Sequence, residues 1–431
     1  MKYTKISSRL FIDNRKRFAK ELKSDSLAVF NSNDIMPSNA DGSMGFMQNS
    51  DVFYLSGIDQ EETILLLYPD AKDNSMKEIL FLRETNPHIA TWEGHKYTKE
   101  EARETSGIEE IRWLSEFPVT FRQLMSQCKR VYLNTNEHTR AIVEVETRDA
   151  RFVKWCMEKY PAHRYERSAP IMHKLRSIKS GVEVELIKHA CSITEKGFRR
   201  ILPFIKPGVW EYEIEAECSH EFLRNRSKGF AYSPIIASGA NSCVLHYILN
   251  NKQCKAGDII LLDVAAEYAN YNSDMTRVVP VNGKFTKRQK DVYNAVLRVM
   301  RAATKMLVKG NTFAKYNAAV GELMQEELIK LRVLKTADVR SQDPKNPLYK
   351  KYFMHGTSHF LGLDVHDVGS FQATMQPGNV FTCEPGIYIP KEKIGVRIEN
   401  NILITEKGNE DLMASIPMEA DEIEELMNPG K

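Results

Sequence analysis

The first part of the chain combines short apolar runs with stretches of helical periodicity. A basic amphipathic helix is predicted over residues 7–22, where apolar residues recur at helical spacing. Continuous apolar runs predict five strands, at residues 26–30, 51–58, 63–70, 78–84 and 130–134. Two further helices are predicted, at residues 98–105 and 116–128. Such apolar runs are typical of strands covered by helices on both faces, so the pattern predicts an α/β domain.

A polar stretch between Pro161 and Pro170 interrupts this pattern, and basic residues follow it. We therefore place a domain boundary near residue 172. It divides the chain into an N-terminal domain, residues 1–172, and a C-terminal domain, residues 173–431.

The C-terminal domain is predicted to begin with a long helix. Ser180-Gly-Val-Glu183 is a capping box that opens this helix, and Pro203 ends it. Further helices are predicted at residues 211–226, 287–308 and 313–330. From residue 352 onward the pattern predicts strands and turns, followed by a short polar tail at residues 424–431.

Composition narrows the class of protein. A chain of 431 residues is too long for one ordinary core, which agrees with two domains. The net charge of +3 gives no case for a nucleic-acid or acidic-membrane partner. Seven scattered cysteines without a Cys-x-x-Cys pair are typical of a reducing cytoplasm. We expect neither a secretory signal nor a membrane span, because no apolar run reaches about 18 residues.

The densest chemistry lies between His355 and Gly369, which read HGTSHFLGLDVHDVG. This stretch holds three histidines, two aspartates and three glycines in fifteen residues. Another histidine, His246, lies in the similar apolar setting SCVLHY. A lone buried histidine is more often a satisfied core residue than a ligand, but a cluster beside carboxylates is not explained in that way.

Two aspartates flank a predicted hairpin between residues 258 and 281. Asp263 lies inside an apolar run, and Asp274 opens the next one. A tight turn centred on Tyr268 and Ala269 would place the two aspartates opposite each other, roughly 5 Å apart. Two buried carboxylates repel each other unless a cation lies between them. Taken alone, Asp274 is better explained as an ordinary turn residue.

Two glutamates occupy similar positions near the C-terminus. Glu384 ends an apolar run just before Pro385, and Glu399 follows Arg397 with a spacing of two. A surface ion pair between Arg397 and Glu399 is an alternative, since such pairs are common. With His359, however, the four carboxylates form a ligand set for two divalent cations. Its oxygen-rich character favours Mn²⁺ over Co²⁺ or Zn²⁺. Two such ions would activate a bridging water and polarise a carbonyl group.

Taken together, these motifs resemble those of aminopeptidase P, the Xaa-Pro aminopeptidases of the pita-bread metallopeptidases. The matching segments are FMQNSDVFYLSGI, LLDVAAEYANYNSDMTR, HGTSHFLGLDVHDVG, CEPGIYI and VRIEN. The resemblance implies an N-terminal α/β domain followed by a pita-bread (α+β) catalytic domain. It also implies cleavage of the Xaa-Pro bond at the N-terminus of peptides by a metal-bridging hydroxide. The chain departs from the family at Val264-Ala265, where Ala-Gly is frequent.

The resemblance assigns metal ligation to five positions, and Asp274 and Glu399 would bridge the two metals. These five residues are Asp263, Asp274, His359, Glu384 and Glu399.

Further roles are implied for the residues around this set. His246, His355 and His366 match histidines of the family's active site, and Arg397 matches its arginine. Glu384 would also relay a proton from the attacking water to the proline nitrogen. A protonated His246 or His366 would stabilise the oxyanion.

Trp92 resembles a tryptophan that reaches into a neighbouring subunit's active site, which implies a homo-oligomer, a dimer or a tetramer. A tryptophan in the protein core is the alternative interpretation.

Other functions remain open. A prolidase, which cleaves only Xaa-Pro dipeptides, shares the fold, although prolidases tend to have glycine at the position of Ser358. Creatine amidinohydrolase shares the fold without metals, and the five retained ligand positions argue against it. Methionine aminopeptidase generally lacks an N-terminal domain of this kind. A pita-bread domain that has lost catalysis and only binds peptides or proteins is the alternative from a different class.

Overall fold

The computed structural model describes residues 3–141 and 144–428. The chain divides into two compact units. The N-terminal domain is Lys5–Arg176, and the C-terminal domain comprises Met1–Thr4 and Ser177–Lys431.

A six-stranded mixed sheet forms the centre of the N-terminal domain. Its strands are β1 (Ser26–Asn31), β2 (Ile64–Leu67), β3 (Glu78–Leu82), β4 (Glu110–Trp113), β5 (Arg130–Leu133) and β6 (Arg164–Arg167). Their order in the sheet is β4-β3-β2-β1-β5-β6. Strands β1, β2 and β3 pair antiparallel, whereas β4, β5 and β6 pair parallel to their neighbours. The continuous apolar runs are buried, as both-face coverage requires.

Seven α-helices lie within the described residues of this domain. They are α1 (Ser8–Glu21), α2 (Ser50–Ser56), α3 (Pro87–Glu93), α4 (Lys99–Ser106), α5 (Phe117–Met125), α6 (Arg148–Lys159) and α7 (Ala169–Arg176). The predicted helices at 7–22, 98–105 and 116–128 are confirmed as α1, α4 and α5.

The predicted strand at residues 51–58 is wrong, because this segment is helix α2. The side chain of Asn49 accepts hydrogen bonds from the backbone N–H groups of Asp51 and Val52, which caps the helix. Gly57 ends the helix in the left-handed conformation, with φ of 70°. Val52–Leu55 are all buried, so the apolar run has no polar face from which helical periodicity could be recognised.

The C-terminal domain contains six helices and ten strands within the described residues. The helices are α8 (Gly181–Ile201), α9 (Glu211–Arg224), α10 (Lys287–Met306), α11 (Phe313–Lys330), α12 (Thr336–Arg340) and α13 (Ala420–Met427). The first strands are β7 (Ile235–Ser238), β8 (Ile259–Asp263), β9 (Glu267–Tyr268), β10 (Tyr271–Asn272) and β11 (Thr276–Pro280). The others are β12 (Val380–Cys383), β13 (Gly386–Ile389), β14 (Ile394–Arg397), β15 (Asn400–Thr405) and β16 (Gly408–Asp411).

Small antiparallel sheets carry the strands of this domain. Their orders are β11-β8-β7, β12-β15-β16, β13-β14 and β10-β9. Strand β14 also lies against β8 and β11, so the ends of these strands come close together. None of the helices within residues 3–141 and 144–428 has both the length and the apolar character that crossing a membrane requires.

The start of α8 and the end of α13 can be compared with the predictions for this domain. The capping box at Ser180 is confirmed, since its side chain accepts from the backbone N–H of Glu183. The predicted polar tail from residue 424 is wrong as far as residue 427, because α13 continues to Met427. Ile423 and Met427 are buried, which anchors this helix. Residues 429–431 lie outside the described ranges.

Candidate metal centre

Strand ends of the C-terminal domain bring the predicted acidic residues together. Asp263 is the last residue of β8, and Asp274 lies two residues before β11. Glu384 directly follows β12, and Glu399 lies between β14 and β15. All four positions therefore lie where a strand ends and its side chains face neighbouring strands rather than solvent.

The predicted register of the hairpin is wrong by two residues. The turn lies at Ala269 and Asn270, both with positive φ, one residue later than expected. Asp263 therefore pairs with Thr276, and Asp274 lies diagonally across from it. The spacing of the aspartates could not reveal this, because the left-handed turn residues are not glycines.

Asp274, His359 and Glu399 form a buried group of possible metal ligands. One ligand atom from each residue lies within 4.8 Å of the others. His359 Nε2 is 3.4 Å from Asp274 Oδ2 and 3.7 Å from Glu384 Oε1. Asp274 is thus buried among these residues and is not a solvent-exposed turn residue.

The carboxylates of this group are electrostatically unfavourable without a cation. Burial raises the pKa of Glu399 well above its ordinary value, and the nearby Asp274 and Asp263 raise it further. Burial followed by the Asp263 charge raises the pKa of Asp274 well above its ordinary value. Burial and Glu399 do the same to the pKa of Glu384. Closely spaced buried carboxylates of this kind fit divalent cations, which would supply the missing positive charge.

The hydrogen bonds of His359 determine its tautomer. Its Nδ1 lies 2.9 Å from the carbonyl oxygen of Phe360, which can only accept. Nδ1 must therefore carry the hydrogen, and in the neutral ring the lone pair is on Nε2. Nε2 is the atom that faces Asp274 and Glu384. This orientation suits a metal ligand whose Nε2 faces the ion while its Nδ1 hydrogen is bound by a backbone carbonyl group.

Two donors hold the carboxylate of Asp263. The hydroxyl of Tyr232 donates to Oδ1 at 2.5 Å, and Arg397 Nη2 donates to Oδ2 at 2.5 Å. Burial and the nearby carboxylates raise the pKa of Tyr232 well above its ordinary value, which keeps this hydroxyl protonated. Arg397 also donates to Thr276 Oγ1, which in turn donates to Glu399 Oε2. The alternative of a surface ion pair is therefore wrong, since Arg397 and Glu399 are both buried.

The other predicted histidines occupy different positions. His355 Nε2 is 2.9 Å from the hydroxyl of Tyr388, which accepts from Arg397 Nη1. Burial and the Arg397 charge lower the pKa of His355 to about 4, so its ring is neutral at neutral pH. The ring of His366 stacks on that of His359 with centroids 4.0 Å apart. His246 is exposed, and its charge contributes to the lowered pKa of His355.

Sequence reasoning did not find the residues that hold the predicted set. Tyr232 and Thr276 bind its carboxylates, and Tyr388 joins Arg397 to His355. Asn401 binds the backbone of Asp274 on both sides, donating to its carbonyl and accepting from its N–H. A hydroxyl or amide that binds a buried carboxylate has no characteristic spacing along the chain. Tyr388, near Glu384 in CEPGIYI, and Thr276, two residues after Asp274, could have been inferred from proximity.

Trp92 lies on α3 of the N-terminal domain with 77% of its surface exposed. The alternative that it belongs to the core is therefore wrong.

The fold and this group of residues define a metallopeptidase. Residues 185–406 match metallopeptidase family M24, and residues 11–132 match the N-terminal domain of aminopeptidase P. The chain belongs to the M24 metallopeptidases, within the aminopeptidase P group.

Individual relatives match over nearly the full length. The chain is 33% identical to a Xaa-Pro aminopeptidase of Haemophilus influenzae, covering 98% of each chain. It is 32% identical to the structure of Escherichia coli aminopeptidase P in a low-pH form, with a TM-score of 0.89. A zinc-substituted E. coli aminopeptidase P in complex with product matches with 32% identity and a TM-score of 0.87. Both structural matches cover 98% of this chain and 99% of the other.

These similarities confirm three predictions made from the sequence. The resemblance to aminopeptidase P is confirmed. So is the fold, an N-terminal α/β domain followed by a pita-bread catalytic domain. The assignment to the metallo-exopeptidases is confirmed as well.

Proposed function

We propose that this protein is an Xaa-Pro aminopeptidase that removes the N-terminal residue of peptides with proline in the second position. The observation that carries the proposal is the buried group of Asp274, His359 and Glu399, whose ligand atoms lie within 4.8 Å of one another. The full-length similarity to Xaa-Pro aminopeptidases supports the substrate class.

Two divalent metal ions fit the residues of the centre. We assign their ligation to Asp263, Asp274, His359, Glu384 and Glu399, which would hold both ions. The raised carboxylate pKa values support this assignment, because the Arg397 charge does not offset the burial and mutual repulsion of these carboxylates. When bound, the ions supply Lewis acidity that lowers the pKa of water and polarises a peptide carbonyl group. Four oxygen donors and one nitrogen favour Mn²⁺, with Co²⁺ and Zn²⁺ as alternatives.

Proton transfer is assigned to Glu384. This carboxylate takes a proton from the attacking water as the new C–O bond forms. It then delivers that proton to the proline nitrogen as the C–N bond breaks. The proline nitrogen must gain a proton to leave as an amine, so a positioned proton donor is needed for this leaving group.

The histidines and Arg397 are assigned to the substrate. His246 and His366 donate hydrogen bonds to the carbonyl oxygen as it gains negative charge. His355 remains neutral and accepts from Tyr388, which Arg397 orients. Arg397 thereby fixes both this chain of hydrogen bonds and the position of Asp263.

A comparison of three peptides tests the proposed function. With Mn²⁺ added, we expect hydrolysis of a tripeptide with proline second and no hydrolysis of a matched tripeptide with alanine second. Metal content is measured on the same sample. Cleavage of the Xaa-Pro dipeptide alone would identify a prolidase instead. Absence of both bound metal and hydrolysis would identify a peptide-binding module.

Tyr232→Phe is expected to reduce metal affinity or activity by roughly 10–100-fold, because residues that orient ligands typically have effects of this size. The change removes only the hydroxyl that donates to Asp263 Oδ1. Mn²⁺ titration and tripeptide kinetics measure the effect. Tyr212→Phe is the matched control, since Tyr212 is 51% exposed on α9 and should show no change. Equal behaviour of the two variants would contradict the role of Tyr232.

The exposed Trp92 supports a homo-oligomer, a dimer or a tetramer, in which this side chain contacts another copy. Analytical ultracentrifugation of the wild type and of Trp92→Ala tests this. A monomeric wild type would refute the homo-oligomer.

A cytoplasmic location is supported by the cysteines. All seven lie within the described residues as free thiols, and burial raises the pKa of Cys383 to about 12. Such thiols are compatible with a reducing compartment.

A further inference from the structure

The segment Phe360–Asp367 forms a loop closed by a hydrogen bond between its first and last residues. His359 directly precedes the first residue, and His366 directly precedes the last. The backbone N–H of Asp367 donates to the carbonyl oxygen of Phe360 at 2.9 Å. The same oxygen accepts the Nδ1 hydrogen of His359. The closure brings His366, next to Asp367, against His359, and their rings stack. One carbonyl oxygen therefore links the placement of both histidines.

A buried ion pair pins the loop at this closure. Lys179 Nζ donates to Asp367 Oδ2 at 3.0 Å, and both side chains are 1% exposed. The other oxygen of Asp367 accepts from the backbone N–H of Val368. Lys179 lies just before α8, and its own backbone N–H donates to the carbonyl oxygen of Gly378. The loop is thus tied to a segment almost two hundred residues away in the sequence.

Other contacts leave the ion pair little freedom to move. A Cβ atom at Gly362 would lie 2.2 Å from Asp367 Oδ2 and 2.8 Å from Lys179 Cε. The carbonyl oxygen of Gly362 accepts from both the backbone and the side chain of Asn272. Asn272 is two residues from Asp274. The pair is therefore packed between the hairpin and the loop that carries His359 and His366.

We propose that Lys179 and Asp367 are positioning residues, which hold His366 over His359 and hold the Phe360 carbonyl that orients His359. This inference rests on the proposed function for its kinetic part only. A buried ion pair is weak support for stability by itself, since desolvation of the two charges offsets their attraction. The presence of this buried ion pair is better explained by the single conformation that it imposes on the loop.

Two readouts separate positioning from a general structural role. In Lys179→Met, we expect Co²⁺ affinity to fall by about 10-fold or more, as for other groups that orient metal ligands. The kcat for the proline tripeptide should fall by a similar factor while KM changes little. At saturating Co²⁺, the same substitution in the His366→Ala background should lower kcat by less than about twofold, because the loss of kcat then comes from misplacement of His366 and residues acting as a unit are not additive.

A second variant and a control complete the experiment. Lys179→Met leaves the Asp367 charge unpaired, so Lys179→Met with Asp367→Asn tests the same geometry without a buried net charge. Glu327→Gln is the control, because it weakens the ion pairs that Glu327 on α11 makes with Arg298 and Lys330 outside the centre. It should leave both Co²⁺ affinity and kcat unchanged.

The outcomes distinguish this inference from the proposed function. Unchanged Co²⁺ affinity, together with an equal loss of kcat in both backgrounds, would overturn the positioning role. A wild type that binds Co²⁺ but cleaves no proline tripeptide would overturn the proposed function instead. The Co²⁺ measurement would still test Lys179 and Asp367 in that case.

Discussion

Glu399→Gln is expected to stabilise the metal-free protein and to abolish its peptidase activity. Glutamine retains an oxygen that can accept from Thr276 and gains an amide that can donate to Asp274. It also removes one of the carboxylates that burial and mutual repulsion disfavour. Loss of a metal ligand should lower kcat/KM by about 10³-fold or more, since metal ions contribute several kcal/mol to such reactions.

The gain in stability should depend on pH. The pKa of Glu399 in the folded, metal-free protein is raised above its unfolded value of about 4.3. The folded state therefore binds this proton more tightly, and its stability falls as pH rises from about 4.3 towards the raised pKa. Glu399→Gln lacks this loss of stability. The stability of the metal-free variant should therefore exceed that of the metal-free wild type by more at pH 8 than at pH 5.

Differential scanning calorimetry after chelation measures this effect. Relief of about 1–3 kcal/mol per buried, uncompensated polar group would raise Tm of the metal-free C-terminal domain by roughly 3–8 °C at pH 8. Added Mn²⁺ should reverse the order, because only the wild type would gain stability by binding the ion. Glu410→Gln is the control, since Glu410 has a partly exposed side chain outside the centre. A lower Tm for metal-free Glu399→Gln would contradict the account.

His359→Ala is expected to lose metal and turnover, whereas His366→Ala should retain metal and lose only turnover. The two rings stack, but only His359 presents Nε2 to Asp274 and Glu384. Removing a ligand should cost about 10³-fold in kcat/KM. Removing a donor to the developing oxyanion should cost roughly 10²–10³-fold in kcat.

Metal analysis and kinetics on one preparation distinguish the two variants. Circular dichroism should show that both remain folded. His220→Ala is the control, because His220 is exposed on α9. Full activity in His359→Ala would refute its assignment as a ligand, and loss of metal in His366→Ala would refute the division of roles.

The acidic residues of the site could be predicted from the sequence, but most of the hydrogen bonds that hold them could not. Asp263 and Glu384 stood out because a carboxylate inside or at the end of an apolar run requires a partner. Tyr232 did not, because a hydroxyl that binds such a carboxylate can come from any part of the chain. The register of the hairpin depends on the positive φ angles of Ala269 and Asn270. The sequence gives no sign of these angles, because neither residue is glycine.

The secondary structure likewise includes elements that local sequence signals predict and elements that depend on tertiary packing. The capping box at Ser180 is a local signal, and α8 begins there. Helix α2 has a local signal in Asn49, but its fully buried apolar run is also typical of a strand. Burial on every side removes the periodicity that distinguishes the two.

The spread of the proposed ligands along the chain has a consequence for how the protein matures. Asp263 and Glu399 are separated by about half of the C-terminal domain, and each lies at or next to the end of a different strand. A nascent chain cannot present the complete set until β15, which follows Glu399, has been synthesised and paired. The complete proposed set can therefore form only after most of the C-terminal domain has been synthesised.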